Sequence, residues 1–138
     1  LVTSNGVDSP NRPFIVFLNW LGGMGLGWKL KAEEVLRNSG VPYVVVRPVG
    51  LKNTEGHVAP LIKQCRPYEW GIASISRHAV GQICAHALIE APDCVTLNCR
   101  ECSGEFGPAP KIWEFDMGSA LAALVPDQAP LPCTFDDH

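Results

Sequence analysis

The chain has 138 residues, 46% of them apolar and 18% charged, so a single domain with a real core is expected and wholesale disorder is excluded. Eleven basic against 14 acidic residues leave a net charge of −3, which argues against general nucleic-acid binding. Residues 1–104 carry net +2 (ten basic, eight acidic) and residues 105–138 net −5 (one basic, six acidic), so the tail differs in kind from the body.

Leu1-Val2-Thr3-Ser4 reads as the end of a buried strand, and the start at Leu1, inside an apolar run, reads as a processed chain or a piece of a longer one. Asn5-Gly6 and Ser9-Pro10 mark a turn. The stretch 11–27 holds glycines at 22, 23, 25 and 27 and is expected to be mostly loop. Its uncharged part, Phe14 to Trp28, falls short of the about 20 apolar residues a spanning helix needs, so it is expected to be a contact surface.

A helix is predicted from about Leu26 to Asn38. Trp28, Ala32, Val35 and Leu36 form its apolar face, and Lys29, Glu33 and Arg37 form a polar row at i, i+4 spacing. Gly40 stops it. Val41 to Val46 is β-branched without polar alternation, as in a strand covered on both faces, and Pro48 forces a turn. Residues 51–74 are expected to be loop. Ser76 caps a second helix reaching Glu90, with Val80, Ile83, Cys84, Ala87 and Leu88 as its apolar stripe and His78 and His86 toward solvent. Cys94 to Cys99 is a further strand. The tail carries five prolines between Pro108 and Pro132, a short strand over Ile112 to Phe115, and a short helix over Ser119 to Val125 with Asp116 as a candidate cap.

Strand and helix alternate, which implies an α/β fold with a parallel sheet. The first strand has an open edge, so the sheet is expected to be incomplete within this chain. Six cysteines include the pair Cys99 and Cys102 at CxxC spacing, but no second close pair and no HxxxH follow, so ordinary thiols are expected rather than a zinc site.

Over residues 1–103 the chain resembles the C-terminal half of an atypical short-chain dehydrogenase/reductase. The carriers are Val2-Thr3-Ser4, Trp28-Lys29-Leu30-Lys31-Ala32-Glu33-Glu34, Leu36-Arg37-Asn38-Ser39-Gly40-Val41-Pro42-Tyr43, Arg47-Pro48-Val49-Gly50-Leu51 and Ile75-Ser76-Arg77. Ser9-Pro10-Asn11-Arg12-Pro13 and Leu21-Gly22-Gly23 bring it nearest to a cyanobacterial and plastid branch related to complex I intermediate-associated fusions. The resemblance implies an incomplete Rossmann-like sheet over residues 1–104 and an irregular, acidic, Pro-rich arm over 105–138.

It also implies where a nucleotide would sit. The family binds NAD(P) at a Gly-rich turn, but Gly22 to Gly27 does not fit GxGxxG, and a loop precedes it. The family's proton donor is a Tyr four residues before a Lys. Here Gly25 stands four before Lys29, and Gly27 four before Lys31. Losing such a group costs about 10²–10⁴ in rate. Ser4, Lys29, Arg47 and Pro48 are the candidate cofactor contacts; Arg47 could equally neutralise a nearby carboxylate. No catalytic residue and no metal ligand set is assigned. No bound cofactor is expected, with NAD(P) the nucleotide that the resemblance allows. His57 lies in the loop where such proteins admit substrate. The implied role is a non-catalytic subunit or assembly factor on a larger photosynthetic or respiratory membrane complex, peripheral to the membrane, in a plastid at the thylakoid or else in a mitochondrion. The alternative is an NAD(P)H-dependent oxidoreductase whose nucleotide-binding half lies elsewhere.

Overall fold

The computed structural model describes residues 1–64, 73–102 and 110–127. Its elements run α1 (Pro13–Leu21), α2 (Gly25–Arg37), β1 (Val44–Pro48), β2 (Gly50–Lys52), β3 (Pro60–Lys63), β4 (Ser74–Ser76), α3 (Arg77–Glu90), β5 (Val95–Glu101), a 3₁₀ turn (Ile112–Glu114) and α4 (Met117–Ala122).

The expected α/β architecture is present. β1 pairs with β5 in parallel, Val44 opposite Val95, and Val2 bridges Val46 in parallel on the other side of β1. β3 joins the far edge of β5 antiparallel, so the sheet is mixed. β2 and β4 form a separate parallel pair. Leu1–Thr3 is thus an outer strand, and among the described residues nothing pairs with its second edge. β1 and β5 bury Val45, Val46, Val95 and Leu97, as expected for runs covered on both faces.

α3 begins where Ser76 Oγ accepts a hydrogen bond from Ala79 N at 3.0 Å. Its stripe buries Val80, Ile83 and Ala87. α4 begins at Asp116, whose carboxylate accepts from Ser119 N, and it packs on α3 through Met117 and Leu121. Complete burial of Ile75, Ile83, Leu97 and Leu121 stabilises the core by about 1.5–3 kcal/mol each, as an upper estimate.

Several expectations are corrected. Residues 13–21 are helical, not loop, because Pro13 fixes the first turn and the glycines begin only at Gly22. The stretch 51–74 contributes to three strands of three or four residues, too short to display a period. Residues 112–114 form a 3₁₀ turn instead of a strand. Leu88 is 88% exposed, and Trp28, Ala32 and Val35 on the expected apolar face of α2 are exposed too. That helix instead turns Glu33, the middle of its polar row, inward. The expected arm starts within residues outside the described set; its described part, 110–127, lies against the body, with Lys111 bridging Val58 and Asp127 N donating to Cys94 O. Cys65, Tyr68, Cys133 and Phe135 fall outside the described residues.

Candidate nucleotide site at the strand ends

The strand ends are built by main chain. Thr3 N donates to Val46 O at 2.9 Å and Asn5 N to Pro48 O at 2.8 Å, so Ser4 and Pro48 sit side by side at the C-terminal ends of two parallel strands. In open α/β sheets that is where ligands bind. Lys29 reaches the same place from α2, its Nζ donating to Thr3 O at 3.3 Å while the residue stays exposed.

One turn further along α2, Glu33 is only 1% exposed. Arg47 grips it with two bonds, Nε to Oε1 at 3.1 Å and Nη2 to Oε2 at 2.7 Å. Thr3 Oγ1 donates to Glu33 Oε1 at 2.5 Å, and Arg47 Nη1 reaches Asp8 Oδ2 at 2.5 Å. The helix is therefore bolted over the strand ends by a buried ion cluster, and the bolt fixes Lys29 one turn away. Burial works against the charge on Arg47, but the hydrogen bonds and charges of Glu33 and Asp8 outweigh it and raise its pKa. The guanidinium faces carboxylates on both sides, leaving Ser4, Lys29 and Pro48 as the predicted contacts that line the strand ends.

A second arm of the cluster runs toward the opposite end of β1. Arg37 Nη2 bonds Glu33 Oε2 at 3.2 Å and Thr96 Oγ1 at 2.6 Å, and Thr96 Oγ1 donates to Asp127 Oδ2 at 2.5 Å. The Tyr43 hydroxyl donates to the same carboxylate oxygen at 3.1 Å. Burial, then the charge of Asp127, pushes its pKa up to about 12. Tyr43 precedes β1, about 16 Å of strand away from Pro48. It is no proton donor for the strand ends.

At the position where the resemblance calls for Tyr stands Gly25, the first residue of α2, with open space where a side chain would project. The glycines before it do not cradle an anion. The amides of Leu26 and Gly27, which would face a phosphate, both donate to Asn19 Oδ1, at 3.0 and 3.2 Å. The residues thus fit the ribose side of a nucleotide and not its pyrophosphate.

Two features were not legible in the sequence. Leu1, Val2, Trp28, Val35, Tyr43 and Leu88 line an apolar groove of about 990 Å³ along the open strand. A separate cleft of about 670 Å³ gathers His57, His78 and His86, which the sequence scatters. There His57 Nε2 lies 2.8 Å from Glu55 Oε2 and edge-on to Trp113 at 5.9 Å. Among the described residues no group of three or more His, Cys, Asp or Glu is placed to hold a metal ion. Cys99 is buried, which pushes its thiol up to about 12.

Comparison with known proteins follows the same lines. The model of a family described as NAD(P)H-binding matches residues 1–91. The chain is 36% identical over 91 residues to the chloroplastic protein At2g37660 of Arabidopsis thaliana, covering 64% of this chain and 27% of that one. It is 41% identical over 93 residues to sanguinarine reductase of Eschscholzia californica (64% and 32%), and 48% identical over 52 residues to the chloroplastic protein TIC 62 of Pisum sativum (38% and 9%). It spans about a third or less of the length of these curated relatives. A solved structure described as an NAD-dependent epimerase/dehydratase from Bacillus halodurans superposes with a TM-score of 0.67 at 21% identity, over 89% of this chain and 50% of that one, which establishes the shared fold.

Proposed function

The chain belongs to the NAD(P)H-binding family, and from that premise we propose that it supplies the nicotinamide-ribose side of an NAD(P)H site and no proton donor. It would be the C-terminal half of the nucleotide-binding unit, with the pyrophosphate held by residues other than these. The observation that carries this reading is the meeting of Ser4, Pro48 and the Lys29 ammonium at the ends of two parallel strands, beside a glycine turn whose amides Asn19 already occupies. When bound, the nucleotide supplies hydride. Lys29 would donate hydrogen bonds to ribose hydroxyls, the Ser4 hydroxyl would line the nicotinamide end, and the Glu33–Arg47 bolt would hold both in place.

At position 25 the phenol that serves as proton donor in the resembling family is replaced by glycine, and among the described residues no other phenol reaches these strand ends. The role that follows is a non-catalytic subunit or assembly factor of a larger photosynthetic or respiratory membrane complex, in the branch related to complex I intermediate-associated fusions. Chloroplastic relatives support a plastid; the thylakoid is the site we propose within it. The test is paired. NADPH affinity, read by fluorescence titration, should weaken about tenfold in Lys29→Met, the loss of one charged hydrogen-bonding group, and the wild type should consume no NADPH with carbonyl acceptors, whose reduction needs a proton as well as a hydride. Equal binding by both forms would refute the site.

The similarity to sanguinarine reductase favours a second reading, an NAD(P)H-dependent oxidoreductase whose nucleotide-binding half lies on a missing segment or a separate chain. Sustained, acceptor-dependent NADPH oxidation would establish it over the first.

A further inference from the structure

α1 is a helix that the core hardly needs. Ile15 is its one buried residue; Phe14, Val16, Phe17, Leu18 and Leu21 are exposed, and Trp20 is 77% exposed. The apolar surface continues past the helix to Met24, which is 58% exposed. Exposed apolar patches of this kind mark contact sites. Between Arg12 and Lys29 no residue is charged; Arg12, Lys29 and Lys31 flank the patch, Lys31 pairing with the exposed Glu34 at 3.0 Å, so the charges around it sum to +2 in a chain of net −3.

We propose that α1 and the turn after it seat the protein on an anionic lipid surface, the apolar and aromatic side chains entering the interface and the basic rim meeting phosphate headgroups. Three observations choose lipid over other occupants. The sign of the rim is complementary to anionic headgroups and opposite to that of the whole chain. A two-fold contact between copies through this patch would set basic rim against basic rim. Trp and Phe with flanking basic residues is the composition of interfacial segments, and no described helix is long and apolar enough to cross a membrane. The inference rests on the membrane-peripheral part of the reading above and shares Lys29 with the nucleotide site, so the variants that test it leave Lys29 unchanged.

The experiment is flotation of the chain with vesicles of phosphatidylcholine alone and of phosphatidylcholine with about one-third phosphatidylglycerol, with tryptophan emission recorded. The wild type should float with the anionic vesicles and shift its emission to the blue, with binding about tenfold weaker to the neutral ones or in high salt. Phe17→Glu with Trp20→Glu should lose about tenfold in partitioning with unchanged circular dichroism. Should that pair fail to fold, Lys31→Gln, an exposed change, should still narrow the preference for anionic lipid. Wild type left in solution with both vesicles, undiminished binding by the charged pair, or a dimer that this pair breaks while vesicles are ignored would each overturn the proposal. NADPH titration of the same samples separates its failure from that of the nucleotide site.

Discussion

Glu33 and Arg47 carry the consequences that are sharpest at the scale of single residues. Each is nearly sealed from water, and each neutralises the other through two hydrogen bonds. Removing one leaves a buried charge, so Glu33→Leu or Arg47→Met should each destabilise by about 3–5 kcal/mol in urea unfolding. The double variant should cost less than the sum of the two, because of the partners left behind Asp8 reaches water and Arg37 keeps Asp127 and Thr96. Additive losses would show that the pair does not act as a unit. Tyr43 gives a pH signature. Its folded pKa of about 12 lies above the unfolded value of 10.0, so the folded state keeps a proton that the unfolded state releases. The contribution is therefore present below about pH 10 and lost as pH rises to about 12. Tyr43→Phe should flatten that alkaline decline in thermal midpoint in part; Cys99, buried and likewise raised to about 12, and Cys84, raised by burial, add to it. The pairing of Glu33 with Arg47 was half legible. The i, i+4 row on α2 was visible, and Arg47 was weighed as a partner for a carboxylate. The direction of the row was not visible, because amphipathicity says which residues share a face but not which face meets the core.

At the scale of elements, the helices that anchor themselves locally were the readable ones. α3 was legible from Ser76 to Glu90 because its cap and its stripe both lie in neighbouring sequence, and Asp116 announced α4 in the same way. β2, β3 and β4 were not, since strands of three or four residues are specified by their partners across the sheet. α1 was missed because a uniformly apolar segment has no period to read. The start of α2 is a case between. Met24, in a left-handed conformation with φ of 64°, caps nothing, and the distant Asn19 side chain does the work on two amides. Asn19→Ala should therefore cost about 1 kcal/mol, the scale of losing a helix cap, and should loosen the turn before Lys29 as well. Amide exchange at Leu26 and Gly27 should accelerate in that variant and stay slow at Ala79, which Ser76 protects; uniform acceleration would mean a global loss instead.

At the scale of the whole molecule, the sequence showed an alternating α/β chain with one open edge, and the structure has that edge. Leu1–Thr3 pairs with β1 on one side, and the exposed faces of α2 and α3 flank it with Trp28, Val35 and Leu88. A groove so apolar is explained if further structure covers it, as the about twofold greater length of the matched proteins would allow. The proposed nucleotide reading has the same geometry: ribose contacts would lie on this side and phosphate contacts on residues other than these. The central claim is therefore tested most directly by comparing reduced nicotinamide mononucleotide with NADPH as ligands of this chain, by fluorescence titration. If only the nicotinamide-ribose side is read here, the two bind within a factor of about three of one another and Lys29→Met weakens both. NADPH binding about a hundredfold tighter than the mononucleotide, or neither ligand binding, would contradict the account.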